Sequence, residues 1–242
     1  MHSPRAHYLD WASTLESRSR RAARVLAQKL AAHEPSAIFD FGFGDGVFLS
    51  ELALSLPRAE LAGADVSRRS VQEARSRIPG ARLEQGDAAK ILDASRRKFD
   101  LIVASHVLYY FNVSAWADLL RKLEAKLYFG GCLAVCLVAK RSTAYAEPLW
   151  NEMQKRQIRL GTHDRDGAMA FAEELQLSLK CGPGQKGWDI GWKMALPPAR
   201  MSAFLDFLYR IDEGDPACPH ASQLFPEELS MIDRWVLVRK EG

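Results

Sequence analysis

Cysteine is scarce in this chain and carries no metal or redox pattern. Four occur in 242 residues, Cys132, Cys136, Cys181 and Cys218. None forms a Cys-x-x-Cys pair, so neither a zinc site nor a disulfide framework is indicated. A reducing cytoplasm is the simplest setting for such a chain. No apolar run approaches the ~20 residues of a membrane span. The opening "MHSPRAHYLDWASTLESRSRRAARVL" lacks the apolar segment of a secretory signal. Internal repeats and low-complexity tracts are absent too. An excess of one charge is also missing: the net charge is +3, too mild to imply nucleic acid by itself. With 48% hydrophobic residues, the chain can build one sizeable core with an elaboration.

What is present is an alternation of strand and helix patterns. Residues 8–32 read as an amphipathic helix with Leu9, Leu15, Val25, Leu26 and Leu30 on its apolar face. "AIFDF" (37–41), "AELAGAD" (59–65), "ARLEQGD" (81–87), "FDLIVAS" (99–105) and "CLAVCLVA" (132–139) read as strands. Helices are expected over 45–56, over 67–78 with Ser67 as cap, and over 114–128 with Ser114 as cap and Gly130-Gly131 at its end. This is the pattern of a doubly wound α/β sheet, which binds ligands at the carboxyl ends of its strands. Beyond residue 140 the pattern loosens. Helices are expected over 144–160, 164–177, 198–211 and 226–233, an interrupted strand over 177–194, and a final strand over 234–240. The chain divides into an N-terminal lid helix (1–34), a ligand-binding α/β core (35–141), and a cover with the last two strands (142–242).

The strand ends hold the chemistry. "DFGFGDG" places Asp40 at the end of the first strand, then Gly42, Gly44 and Gly46. Glycine lets a ligand approach bare backbone, and the following helix points its amides at that space. A dinucleotide site would use G-x-G-x-x-G to hold a pyrophosphate. Here the third glycine comes one residue early, and Asp40 and Asp45 would repel a pyrophosphate. They suit a ligand with an ammonium group. Asp65 ends the second strand, 19 residues after Gly46, where an acid bonds ribose hydroxyls. Asp87 ends the third, where a carboxylate could accept from an adenine amine; taken singly, it is more often a helix cap. Three acids at three successive strand ends make one coherent site.

"FDFGFGDG", "AGADVS", "QGDAAK" and "FDLIVASHVLYYF" resemble successive motifs of the class I S-adenosylmethionine-dependent methyltransferases, over residues 37–139. The resemblance implies a Rossmann-like seven-stranded sheet with its last strand antiparallel, and S-adenosylmethionine as methyl donor. It implies that Asp40 and the backbone of Gly42, Gly44 and Gly46 face the methionine part. Asp65 and Val66 would take the ribose, Asp87 and Ala88 would frame the adenine, and Ser105 and His106 would back the methyl donor. The donor carries no phosphate, and the loop has no Lys or Arg.

The acceptor is less legible. His106 and Tyr109 are candidate catalytic groups, each with a plain packing alternative. Tyr8, Trp11, Tyr109, Tyr110, Trp150, Trp188 and Trp192 are candidate substrate-facing aromatics, which could bind a flat or cationic amine. The layout is loosely similar to that of the histamine N-methyltransferase branch, which favours a nitrogen acceptor on a small molecule over an oxygen one. Nucleic-acid base methylation is disfavoured, because "SHVLYY" replaces the Asn/Asp-Pro-Pro-aromatic motif and no Pro-Cys pair occurs. No metal cluster is seen. "RSRRAAR" (18–24) reads as the solvated face of the lid helix rather than an RNA surface. An RNA or protein methyltransferase and a non-catalytic donor-binding subunit are the remaining alternatives. The expected state is a cytoplasmic monomer or homodimer.

Overall fold

The computed structural model describes residues 4–140, 172, 173, 175, 185–195 and 228–241, with side chains from residue 15. Its elements in chain order are α1 (Pro4–Leu30), β1 (Ala37–Phe41), α2 (Val47–Ser55), β2 (Glu60–Asp65), α3 (Arg68–Arg77), β3 (Arg82–Gln85), α4 (Ala88–Ala94), β4 (Phe99–Ser105), a 3-10 turn (Leu108–Tyr110), α5 (Val113–Ala125), β5 (Leu127–Val138), β6 (Gln185–Ala195) and β7 (Glu228–Arg239). Seven strands form one sheet in the order β3-β2-β1-β4-β5-β7-β6. β1 to β5 run parallel, and β7 runs antiparallel between β5 and β6. This is the expected doubly wound Rossmann-like α/β fold with its last strand antiparallel.

Alternate residues of the buried strands supply two cores. Ile38, Leu101, Ala134 and Trp235 face α1, α2 and α3, where they meet Leu26, Leu49 and Val71. Phe39, Ile102, Val135 and Val236 face α5, where they meet Trp116, Leu120 and Leu123. Central strands buried on both faces read as continuous apolar runs, which is why β1 and β4 were legible. On α1 the buried stripe is Ala22, Ala23, Leu26, Ala27 and Leu30. On α5 it is Trp116, Leu119, Leu120 and Leu123, at helical spacing. The Trp116 indole N–H donates to the Leu108 carbonyl at 3.1 Å and fastens the 3-10 turn that follows β4.

Four local expectations change. Of the stretch read as a helix over 226–233, the described part, from Glu228, belongs to β7: it pairs with β6 throughout and reaches β5 at Asp233, and these ladders override the helix propensity of Glu228, Leu229 and Met231. Gly130-Gly131 does not end a helix. α5 stops at Ala125, and both glycines lie inside β5, where the register with β4 shifts between Phe99 and Leu101. Ser114 sits inside α5; Asn112 holds the cap position without a side-chain bond. A short helix, α4, follows β3, and Asp87 caps it. The helices expected over 144–160 and 198–211 and almost all of that over 164–177 lie outside the described residues.

Candidate active site

The turn after β1 is fixed by its own backbone. The Gly42 amide donates to the Ala64 carbonyl at 2.9 Å, and Gly46 sits at the N-cap of α2 with a left-handed φ of 78°. Gly42 and Gly44 also have positive φ, 79° and 57°. The two differ in surroundings. A Cβ on Gly42 would lie 2.6 Å from Val107 Cγ2, whereas a Cβ on Gly44 would meet nothing within 4 Å. Gly42 is therefore a packing requirement, and Gly44 borders open space.

Two acids flank that space. Asp65 clamps the loop: its Oδ2 accepts from the Gly44 amide at 2.9 Å and its Oδ1 from the Ser67 amide at 2.8 Å. Each carboxylate oxygen has a second lone pair left for a ligand hydroxyl. Asp40 is 2% exposed, and among the described residues no donor reaches its carboxylate. Burial, with the Asp65 charge nearby, pushes its pKa up to about 7. Such a carboxyl is a poor structural element alone and a good partner for a bound cation. Asp87 is exposed; its Oδ1 caps α4 by accepting from the Ala89 and Lys90 amides at 2.9 and 3.3 Å. Beside it, Ala88 is buried, while Val66 next to Asp65 is 71% exposed. This donor set suits a nucleoside that carries an ammonium.

On the other side of β4 lies a cluster that sequence reasoning missed. Arg18 of α1 is gripped by Asp233 of β7: Nε to Oδ2 at 2.5 Å and Nη2 to Oδ1 at 2.8 Å. Arg18 Nη2 also contacts His106 Nε2. The guanidinium lies 4.7 Å from the Trp192 ring centroid. Burial alone would raise the Asp233 pKa, but the Arg18 charge outweighs it and holds the carboxyl far below the usual range. Burial, and then the Arg18 charge, lower the His106 pKa. Nε2 also lies 3.5 Å from Asp233 Oδ1. Arg18 can only donate, so Nε2 accepts, and the ring is neutral with its hydrogen on Nδ1. His106 has φ 54°, a left-handed backbone rare outside glycine, and its amide is tied to the Cys136 carbonyl at 2.9 Å.

These contacts correct two expectations. Arg18 is no solvated face: its side chain is 14% exposed. Arg20 and Arg24 pair with the buried Glu51 of α2 at 3.0 and 2.6 Å, and Arg21 donates to the Gly191 carbonyl at 3.3 Å. Within 18–24, Arg18 is buried in the fold, while Arg21 and Arg24 remain exposed as the solvated-face reading has them, each with a contact that helps dock α1. His106 as a base through Nε2 is also overturned, because that nitrogen is already an acceptor for Arg18. His106, Cys136 and Asp233 lie close enough to share a metal ion, but the guanidinium already occupies that position as the cation.

The aromatic candidates separate. Tyr109 is 7% exposed, and its hydroxyl accepts from the Val138 amide at 2.8 Å, so it braces β5. Tyr110 is 62% exposed. Trp188 stacks on Trp235 at 6.0 Å between centroids, and Trp235 stacks on Phe48 at 5.5 Å. Ser105 is half-buried beside His106. The side chains of Tyr8 and Trp11, and all of Trp150, lie outside the described residues. The signals for the missed groups were positional. Arg18 is four and eight residues before Ala22 and Leu26 of the buried stripe, and Asp233 alternates with Met231 and Trp235.

Residues 38–131 match the family described as "Methyltransferase domain". Over these residues the chain is similar to methyltransferase domains, in keeping with the class I S-adenosylmethionine-dependent resemblance. The matched stretch holds Asp40, the glycine loop, Asp65, Asp87 and His106; Arg18, Cys136, Trp192 and Asp233 lie outside it. The chain is 38% identical over 131 residues to trans-aconitate 2-methyltransferase of Methylobacterium nodulans, covering 54% of this chain and 47% of that one. It is 30% identical over 136 residues to malonyl-[acyl-carrier protein] O-methyltransferase of Legionella pneumophila, covering 55% and 46%. The chain spans about half the length of the curated relatives it matches. The methyltransferase fold is shared with plantazolicin methyltransferase BpumL, solved with a pentazolic desmethyl analogue and SAH: TM-score 0.56, 15% identity, 98% of this chain and 91% of that one. Among the described residues no helix is long and apolar enough to cross a membrane.

Proposed function

We propose that the chain transfers a methyl group from S-adenosylmethionine to an oxygen of a small molecule. The observation that carries the donor assignment is the buried carboxyl of Asp40, without a partner among the described residues and close to the charge of Asp65, which itself holds the Gly44 amide. The donor has an ammonium for Asp40, ribose hydroxyls for Asp65 and an adenine amine for Asp87. When bound it supplies a methyl on a sulfonium, whose S–C electron pair stays on sulfur as the acceptor's lone pair forms the new bond. The protein's own part is to align the acceptor and exclude water.

Oxygen is favoured over nitrogen by the state of the residues near His106. Nε2 of His106 is occupied, Asp233 is bound to Arg18, and the Tyr109 hydroxyl braces β5. An amine acceptor is an ammonium at neutral pH and must first lose a proton; an ionised oxyacid needs no base. Trp188 and Trp192, the described aromatics proposed for a cationic amine, have faces engaged by Trp235 and by Arg18. The relatives' names agree: one is an O-methyltransferase, and trans-aconitate is a carboxylate without an amine. The test is calorimetry with SAH followed by a product-release assay across carboxylic acids, phenols, amines and RNA. SAH binding with turnover on an oxygen acceptor is expected; turnover on RNA alone would overturn the proposal.

A further inference from the structure

The residues around Arg18 have more hydrogen-bond donors than acceptors. A guanidinium has five N–H groups. Asp233 takes the Nε hydrogen and one on Nη2, and His106 Nε2 takes the other on Nη2. Both hydrogens of Arg18 Nη1 have no acceptor among the described residues. The His106 tautomer set by Arg18 leaves an Nδ1–H, which also has no acceptor there. The indole N–H of Trp192, whose ring lies under the guanidinium, is buried and unpartnered. Asp233, 1% exposed, is the one carboxylate in contact with the guanidinium among these residues, and its oxygens bond Nε and Nη2 and not Nη1. Of these donors Trp192 Nε1 is the fully buried one, and a buried donor left unpaired costs about 1–3 kcal/mol; with the open donors of Arg18 and His106 in the same cluster, the group favours an acceptor-rich ligand.

The sheet order says which ligand. The groups assigned to the methyl donor end β1, β2 and β3. Arg18 is held over β7 and β6, on the opposite side of β4, with His106 at the border. We infer that the methyl acceptor is a small carboxylic acid, with a carboxylate anchored by Arg18 Nη1, His106 Nδ1 and Trp192 Nε1. Asp233 is a positioning residue: it fixes the guanidinium and directs the unused Nη1 pair to the ligand. A planar carboxylate matches such donors, and an amide or amine of the same shape does not. The inference rests on the donor assignment above and extends it to the acceptor.

The test uses the whole chain loaded with SAH. Small mono-, di- and tricarboxylates, aliphatic and aromatic, are titrated in a calorimeter, each beside its amide. At least one acid is expected to bind while its amide does not. Arg18→Lys should weaken that acid roughly 10- to 100-fold, the range for a charged hydrogen-bonded contact, with SAH affinity unchanged. Arg18→Gln alone leaves Asp233 buried without its partner and can unfold the chain. The double variant Arg18→Gln/Asp233→Asn removes both charges and should lose the acid while keeping SAH. SAH binding with no acid bound by any member of the panel would overturn the inference and leave the donor assignment standing. So would variants that bind the acid normally, or that weaken SAH instead, which would give Arg18 to the donor's own carboxylate. Failure of the unmodified chain to bind SAH would overturn the donor assignment itself.

Discussion

Donor binding should depend on pH through a single carboxyl, Asp40. Burial and the Asp65 charge raise its pKa from 3.8 to about 7 in the free protein. A ligand ammonium beside it favours the ionised form, so binding below pH 7 must expel a proton. At pH 5 only about one molecule in a hundred has Asp40 ionised. The apparent affinity for SAH should therefore fall about 100-fold between pH 7.5 and pH 5, or about 2.7 kcal/mol at 1.36 kcal/mol per pH unit. Above about pH 8 the ligand's own ammonium deprotonates and affinity falls again. Stability has the opposite sign. The folded state holds this proton more tightly than the unfolded one, so the contribution of Asp40 falls from about pH 4 to pH 7 and levels off above. The rise of about three pH units sets that loss at about 4 kcal/mol. Asp40→Asn should accordingly stabilise the free protein at pH 8 while weakening SAH. The assay is titration calorimetry at pH 6 in two buffers of different ionisation enthalpy, which counts the protons released. Close to one is expected, and close to none for Asp40→Asn. A flat affinity from pH 5 to 7.5 with no proton released would refute both the burial argument and the ammonium assignment.

Four substitutions probe other parts of the site. Gly42→Ala and Gly44→Ala both place a side chain at positive φ, worth about 1 kcal/mol or more. Gly42→Ala also drives a Cβ into Val107, so it should lower the melting temperature by more, whereas Gly44→Ala should mainly weaken SAH; equal effects on both readouts would contradict the loop geometry. Asp65→Ala removes the acceptor of the Gly44 and Ser67 amides together with the ribose contact, and SAH affinity should drop tenfold or more by calorimetry. Asp233→Ala leaves Arg18 buried without its counter-ion and should cost about 3–5 kcal/mol in urea unfolding; a cost near zero would mean the pair is solvated.

The sheet was legible where chemistry and burial agree along a short stretch. β1 and β4 have the expected bounds because both faces are covered and the run stays apolar. The parts that failed depend on partners far away in sequence. "PEELSMID" has helix-forming residues, and the ladder with β6 makes its described part, from Glu228, a strand. Asp233 hid the alternation of Met231 and Trp235, because a buried acid looks like an outward residue until Arg18 is placed beside it. Asp87 shows a different ambiguity: a carboxylate at a strand end reads equally as a ligand contact and as the cap of α4, and it makes the second contact whatever the first. The donor side is local, with each acid following its own strand. The acceptor side is assembled from α1, the residue after β4, and β6 and β7, so no contiguous motif describes it.

Arg18 and Asp233 stand 215 positions apart. Within the described sheet β6 pairs only with β7, so neither β6 nor Asp233 is in place until β7 has inserted beside β5. On the ribosome, domains form in the order they emerge. A nascent chain can then assemble β1 to β5 and the glycine turn while β7 is still being made. It would display a nucleoside platform, but α1 would lack its anchor on β7. The cluster around Arg18 thereby waits on β7, and a chain without β7 would leave Arg18 without Asp233.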